Sequence, residues 1–191
     1  MPGIGVLALQ GDYREHIKMF SLLGTPSHEI RKASQISDLD GLVIPGGEST
    51  TISYLMDLYD IRSAIQDSAS YNLPIWGTCA GLILMANTLL EDIPCPLDLI
   101  DVKVSRNAYG RQVDSFKDSI NFSFDQNHPF PGVFIRAPKI VTIGQNVEVI
   151  STLDNGEVVG VREGKSIGTS FHPELTPDNR FHKYFIDLVY S

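Results

Sequence analysis

Two segments of the chain carry residue types that could do nucleophilic chemistry. Gly77-Thr78-Cys79-Ala80-Gly81 sets a cysteine between a short apolar run, Leu73-Pro74-Ile75-Trp76, and a helix expected from Ala80 to Leu90. This is the G-x-nucleophile-x-G pattern of a sharp strand-to-helix turn, with cysteine where hydrolases often carry serine. The central residue of such a turn is strained, and bulky neighbours would clash with the sheet, hence the glycines. At a helix N-terminus the dipole and free N–H groups favour thiolate over thiol. The N–H of Ala80 can point at a developing oxyanion. A small buried cysteine in a Gly-rich connection would leave the same pattern, so the motif needs a base to become chemistry. Cys95, in the rigid loop Pro94-Cys95-Pro96, has no helix start after it and no flanking glycines, and receives no catalytic role.

The base is sought among five histidines. His172 ends a strand and begins His172-Pro173-Glu174, and Pro173 biases the residue before it toward an extended conformation. In an extended segment residues i and i+2 point the same way, so Glu174 would hold one imidazole nitrogen while the other faces Cys79. That is nucleophile, base and orienting acid. Taken alone, a strand end with a solvated glutamate is the simpler reading. His128 also precedes a proline but has Phe130 where the acid would stand, and His28 has no indicated role. His16 and His182 fall on expected helices, at the surface or partly packed.

A third segment, Pro45-Gly46-Gly47-Glu48-Ser49-Thr50, follows a strand and opens a helix capped by Ser49 or Thr50. Gly-rich turns of this kind often cradle phosphate, but neither G-x-x-x-x-G-K-[ST] nor G-x-G-x-x-G is present. A second oxyanion donor fits better, with the Gly47 N–H free to approach a carbonyl and Glu48 able to grip an α-ammonium group. A tight turn needing positive φ is the plain alternative for Gly46.

The elements around these segments must position them. Ile4 to Leu9 and Gly41 to Ile44 are continuous apolar runs, typical of strands buried on both faces, and Asp12 to Leu23 has helical spacing with Gly24 as a stop. Strand alternating with helix implies a parallel sheet. The second half alternates apolar and polar residues (Ile100 to Val104, Ile120 to Phe124, Val147 to Val149), with a hairpin turning at Glu163-Gly164-Lys165. A last helix, capped near Asp178, carries Phe181, Phe185 and Leu188. The expected fold is a three-layer α/β domain spanning 1–191, its mostly parallel central sheet flanked by helices and extended by antiparallel edge strands.

The composition limits the partners. The chain has 191 residues, 15 Lys and Arg against 23 Asp and Glu, and a formal net charge of −8. Without a basic cluster it is not expected to bind nucleic acid. Ala80 to Leu90, the most apolar stretch, is too short to span a bilayer, and no signal peptide is read at Met1-Pro2-Gly3. Two cysteines form no disulfide framework, which points to a reduced, cytoplasmic protein.

Together these motifs resemble a class I (triad) glutamine amidotransferase, and more narrowly the glutaminase subunits of pyridoxal 5′-phosphate synthase. The resemblance runs along essentially the whole chain. It is carried by Gly5 to Gly11, Pro45 to Thr50, Gly77 to Gly81, Arg106 to Gln112, Phe134 to Pro138 and Ser170 to Leu175. The Arg106 and Arg136 segments are the most specific to the narrower family. The resemblance implies Cys79 as nucleophile, His172 as base, Glu174 as its orienter, and Gly47 and Ala80 as oxyanion donors. It implies a glutamine site at Gly47, Glu48, Ser49, Arg106, Ile135 and Arg136, with no cofactor or metal. It also implies a (β/α)8-barrel synthase subunit as partner, which uses the ammonia released from L-glutamine, and low activity for the chain without it. Three readings compete: a glutaminase subunit of another biosynthetic amidotransferase, a non-enzymatic partner-binding subunit, and a cysteine peptidase or related hydrolase of similar architecture.

Overall fold

The computed structural model describes residues 3–106, 115–125 and 128–191. Asn107 to Gln112, part of the segment that carries the resemblance, lie outside the described residues. The strands are β1 (Ile4–Leu7), β2 (Ser27–Ile30), β3 (Gly41–Ile44), β4 (Ile75–Thr78), β5 (Ala86–Leu89), β6 (Ile100–Ser105), β7 (Ser115–Phe122), β8 (Phe130–Ile135), β9 (Lys139–Ile143), β10 (Glu148–Leu153), β11 (Val158–Glu163) and β12 (Ser166–Thr169). The helices are α1 (Tyr13–Leu22), α2 (Ser49–Leu58), α3 (Ile61–Ser70), α4 (Ala80–Met85) and α5 (Arg180–Val189).

Among the described residues the main sheet runs β2-β1-β3-β4-β12-β11-β10-β7-β8. Its first five strands pair in parallel, and from β12 to β8 every pairing is antiparallel. The parallel strands read as unbroken apolar runs because both faces are covered. Leu42 and Ile44 of β3 and Ile75 of β4 enter a core shared with α2, α3 and α4, while Val43 and Trp76 enter the opposite one, with Phe20 of α1 and Phe181 and Phe185 of α5. The expected three layers and antiparallel extension are present, and the β11–β12 hairpin turns at Gly164 with φ +57°.

One local expectation fails. The helix beginning at Ala80 stops at Met85, and Ala86–Leu89 forms a strand. All six α4 residues are buried, so nothing holds a helix together once the chain reaches the exposed Asn87 and Thr88. That strand joins β6 and β9 in a small separate sheet, order β5-β6-β9, which the sequence pattern did not reveal. Its residues Ala86, Val102, Val104 and Ile140 pack into the core of the α2–α4 side.

In the parallel half the order of strands places three loops at one end. The chain leaves β1 at Gln10 to Asp12, β3 at Gly46 to Glu48 and β4 at Cys79, and passes β12 to reach His172. Open parallel sheets gather ligand sites at these carboxyl ends.

Candidate functional site

Cys79 sits at the N-cap of α4 with φ 48° and ψ −100°, a strained conformation for a residue with a side chain. The flanking glycines are needed sterically. A methyl group on Gly77 would lie 2.5 Å from the carbonyl carbon of Gly81, and one on Gly81 would meet the backbone carbonyl of Ile44. The Cys79 N–H donates to Thr169 O at 2.8 Å, anchoring the turn to β12, and the thiol lies 3.7 Å from Ile135 O. Cys95 is exposed and elsewhere.

His172 is buried, and its backbone N–H donates to Val133 O of β8 at 2.8 Å. Its Nδ1 lies 2.7 Å from Glu174 Oε1, and because a carboxylate offers only lone pairs, Nδ1 carries the proton. Nε2 is buried and free of hydrogen bonds among the described residues, which leaves it for the thiol. The pairing expected at His172-Pro173-Glu174 is therefore present, but not through an extended strand. Pro173–Leu175 is a turn of 3-10 helix with His172 as its N-cap, and the Glu174 carboxylate meets the ring from inside that turn. Burial lowers the His172 pKa, but the nearby Cys79 and Glu174 outweigh it and raise the group to about 11. Burial raises the pKa of Glu174, with His172 opposing.

The glycine turn also differs in detail. Neither Ser49 nor Thr50 caps α2. Glu48 does, accepting from the backbone N–H groups of Thr50 at 3.2 Å and Thr51 at 2.7 Å and from both threonine hydroxyls. Burial raises the Glu48 pKa, but these hydrogen bonds prevail and hold it at about 2. Gly46 does not adopt positive φ. It must be glycine because the His172 ring lies against its α-carbon.

A cavity of about 370 Å³ joins the pieces, lined by Gly47, Glu48, Ser49, Cys79, Arg106, Ile135, Arg136 and His172, together with Gln10, Gly11, Asp12 and Ile83. Ala80 follows Cys79 at the first position of α4, and Glu174 lies behind His172. The Arg106 backbone N–H donates to the Glu91 carboxylate at 3.0 and 3.1 Å, and its guanidinium reaches Ile93 O at 2.6 Å and Glu48 Oε1 at 3.5 Å. Arg136 has φ 43° and is exposed. A larger hollow of about 630 Å³ lies at the other end of the same strands, among Asp40, Pro74 and Lys165, and holds none of the candidate residues.

Sequence reasoning missed several neighbours. Gln10 Oε1 accepts from the Glu48 N–H at 2.7 Å, and Asp12 Oδ2 lies 3.5 Å from His172 Nδ1. Their signal was position, since Gln10 to Asp12 leave the strand beside β3. Asp12, His172 and Glu174 bring three ligand-type atoms within 4.8 Å of one another, and of these His172 Nδ1 is paired with Glu174 Oε1. His16 and His182, expected at the surface or partly packed, are both fully buried.

The sequence of this chain matches the SNO glutamine amidotransferase family over residues 6–191. The chain belongs to that family. Among curated relatives, "Pyridoxal 5′-phosphate synthase subunit PdxT" of Dehalococcoides mccartyi is 50% identical over 188 residues, covering 97% of this chain and 96% of the relative. The protein of the same name from Chloroflexus aggregans is 45% identical, covering 97% and 99%. A solved structure described as a glutamine amidotransferase superposes with a TM-score of 0.92 at 42% identity, covering 98% of this chain and 99% of that one. The structure of PurLQS from Thermotoga maritima, at 14% identity and TM-score 0.73, covers 97% of each chain and shares the fold alone. Among the described residues no helix is long and apolar enough to cross a membrane.

Proposed function

We propose that the chain is the glutaminase subunit of a pyridoxal 5′-phosphate synthase, with Cys79, His172 and Glu174 as its triad. One observation carries the chemistry: at the floor of the cavity the strained Cys79 turn meets a histidine whose Nδ1 is tied to a buried carboxylate and whose Nε2 is unoccupied. The named relatives, alike along nearly their whole length, support the choice of pathway.

In this reading the Cys79 thiolate attacks the side-chain amide carbon of L-glutamine, and the carbonyl electron pair moves onto oxygen. The Gly47 and Ala80 N–H groups stabilise that oxyanion. Removing one such donor typically lowers turnover by about 10²–10³-fold. The tetrahedral adduct collapses as His172 Nε2–H protonates the leaving nitrogen, giving ammonia and a γ-glutamyl thioester. His172 then takes a proton from water, the hydroxide attacks the thioester, and glutamate leaves as the thiolate is regenerated. Arg106 and Arg136 bind the glutamine α-carboxylate by paired, charge-assisted contacts. Glu48 and Ser49, with the Ile135 backbone, line the other side. The ammonia passes to a separate (β/α)8-barrel synthase subunit in the cytoplasm. The chain needs no cofactor of its own.

The test is pyridoxal 5′-phosphate formation with the synthase subunit, from glutamine or from ammonium, by wild type and Cys79→Ala. The variant should lose the glutamine-driven reaction and keep the ammonium-driven one. Equal loss of both would refute the reading.

A further inference from the structure

The two oxygens of the Glu174 carboxylate are treated differently. Oε1 accepts from His172, whereas Oε2 is buried without a hydrogen bond among the described residues, and His16 Nε2 stands 3.4 Å away. The same His16 nitrogen is 3.4 Å from Thr78 Oγ1, beside the nucleophile. On its far side, His16 Nδ1 is 3.1 Å from Nε2 of His182. Neither histidine has exposed surface. Aromatic rings enclose both: Trp76 meets His16 and His182 edge-on with centroids 5.2 and 5.0 Å apart, and Phe20 meets His182 at 5.2 Å.

Two arrangements of protons fit the pair, since the Thr78 hydroxyl can donate to or accept from His16 Nε2, and His182 Nδ1 decides between them. If His16 Nδ1 were the donor to His182, His182 Nδ1 would carry a proton into a site without a partner, and His16 Nε2 would turn a lone pair toward the Glu174 oxygen. In the reverse arrangement, His182 Nε2–H donates to His16 Nδ1, and His16 Nε2–H faces Glu174 Oε2. The atom left over is then a bare lone pair on His182 Nδ1, the atom that has no partner among the described residues. Orphaned buried N–H groups are rarer in folded proteins than acceptors left short of a partner.

We propose that His182 and His16 form a one-way chain of neutral imidazoles that donates to Glu174 Oε2, orienting the carboxylate and keeping it ionised for His172. His16 is thus a positioning residue, and its role rests on the triad reading above. Burial lowers the pKa of both histidines, His182 to about 3, which keeps them neutral at working pH. The titratable groups facing this chain are Glu174, His172 and, beyond them, Asp12.

Two measurements test it. In ¹⁵N-histidine NMR, two imidazoles assigned to His16 and His182 should remain neutral Nε2–H tautomers from about pH 5.5 to 8.5. An imidazolium or an Nδ1–H form at either position overturns the proposal. With the synthase subunit present, His16→Leu should lower glutamine-driven kcat by about 10-fold or more with little change in KM. It should also move the acid limb of kcat/KM to higher pH, because Glu174 loses a donor to its charged form. His16→Gln, which presents an amide N–H near the Nε2 position, should recover most of both. Equal losses in the two variants at matched melting temperatures would overturn the role. A Cys79→Ala variant that still hydrolyses glutamine would instead strike the triad reading, and the NMR result stands independently of it.

Discussion

Gly46 lies so close to the imidazole of His172 that a methyl group on its α-carbon would sit 2.9 Å from Nδ1 and closer still to Cε1. The loop after β3 therefore sets the position of the His172 ring as well as lining the cavity. Gly46→Ala should push the ring away from Cys79 while leaving the sheet intact. A misplacement of about 1 Å at a reacting group costs roughly 10²-fold in rate, and a loss of that order in glutamine turnover is expected. Gly81→Ala meets the Ile44 backbone, which cannot move without disturbing β3, so it should lower thermal stability by about 1–3 kcal/mol. Assaying turnover and melting temperature for both variants separates the two effects. Full turnover in Gly46→Ala would show that the contact does not position the base.

Arg106 is braced before it meets any substrate. Glu91 holds its backbone N–H, Ile93 O accepts from the guanidinium, and among the described residues the buried Nε has no partner. Arg106→Lys keeps the charge but loses the fork that suits a carboxylate. Glutamine KM should rise by about 10–100-fold with a smaller effect on kcat, as for an interaction made alike in ground and transition states. Steady-state kinetics with the synthase subunit measures this, and a fall in kcat at unchanged KM would contradict it.

The sequence was most legible where one local constraint dictates a residue type. The Cys79 turn was readable because Gly77 and Gly81 have no room for a side chain, a requirement of the turn itself. The His172–Glu174 contact is expected on a wrong ground: the segment reads as extended through the effect of Pro173 on His172, but Pro173 opens a 3-10 turn. His172 stands outside that turn as its N-cap, with φ −109° and ψ 86°, and from there its ring meets the Glu174 carboxylate. His16 and His182 escaped because helical periodicity counts histidine as polar and so assigns it outward. Their burial depends on each other, on Glu174 and on Trp76, contacts across 166 residues in the case of the pair. The strand Ala86–Leu89 was hidden likewise, since its partner β6 begins at Ile100 and no local pattern announces the pairing.

The proton on His172 also makes a prediction about stability. Its folded-state pKa is raised, with burial opposing and the Cys79 and Glu174 contacts prevailing, from an ordinary value of 6.5 to about 11. Between those values the folded chain holds a proton that the unfolded chain has released, so stability falls as pH rises. The contribution is fully present below pH 6.5 and is gone once pH has passed about 11. Glu174, raised by burial, acts in the same direction above its ordinary 4.5. Glu174→Gln removes one of the contacts that hold the proton, and Cys79→Ala removes the other. Each variant should therefore show a shallower fall in unfolding free energy across the alkaline range than wild type. Chemical denaturation at intervals from pH 6.5 upward reads this directly, and alkaline slopes identical in all three proteins would mean that His172 is not held protonated by this pair.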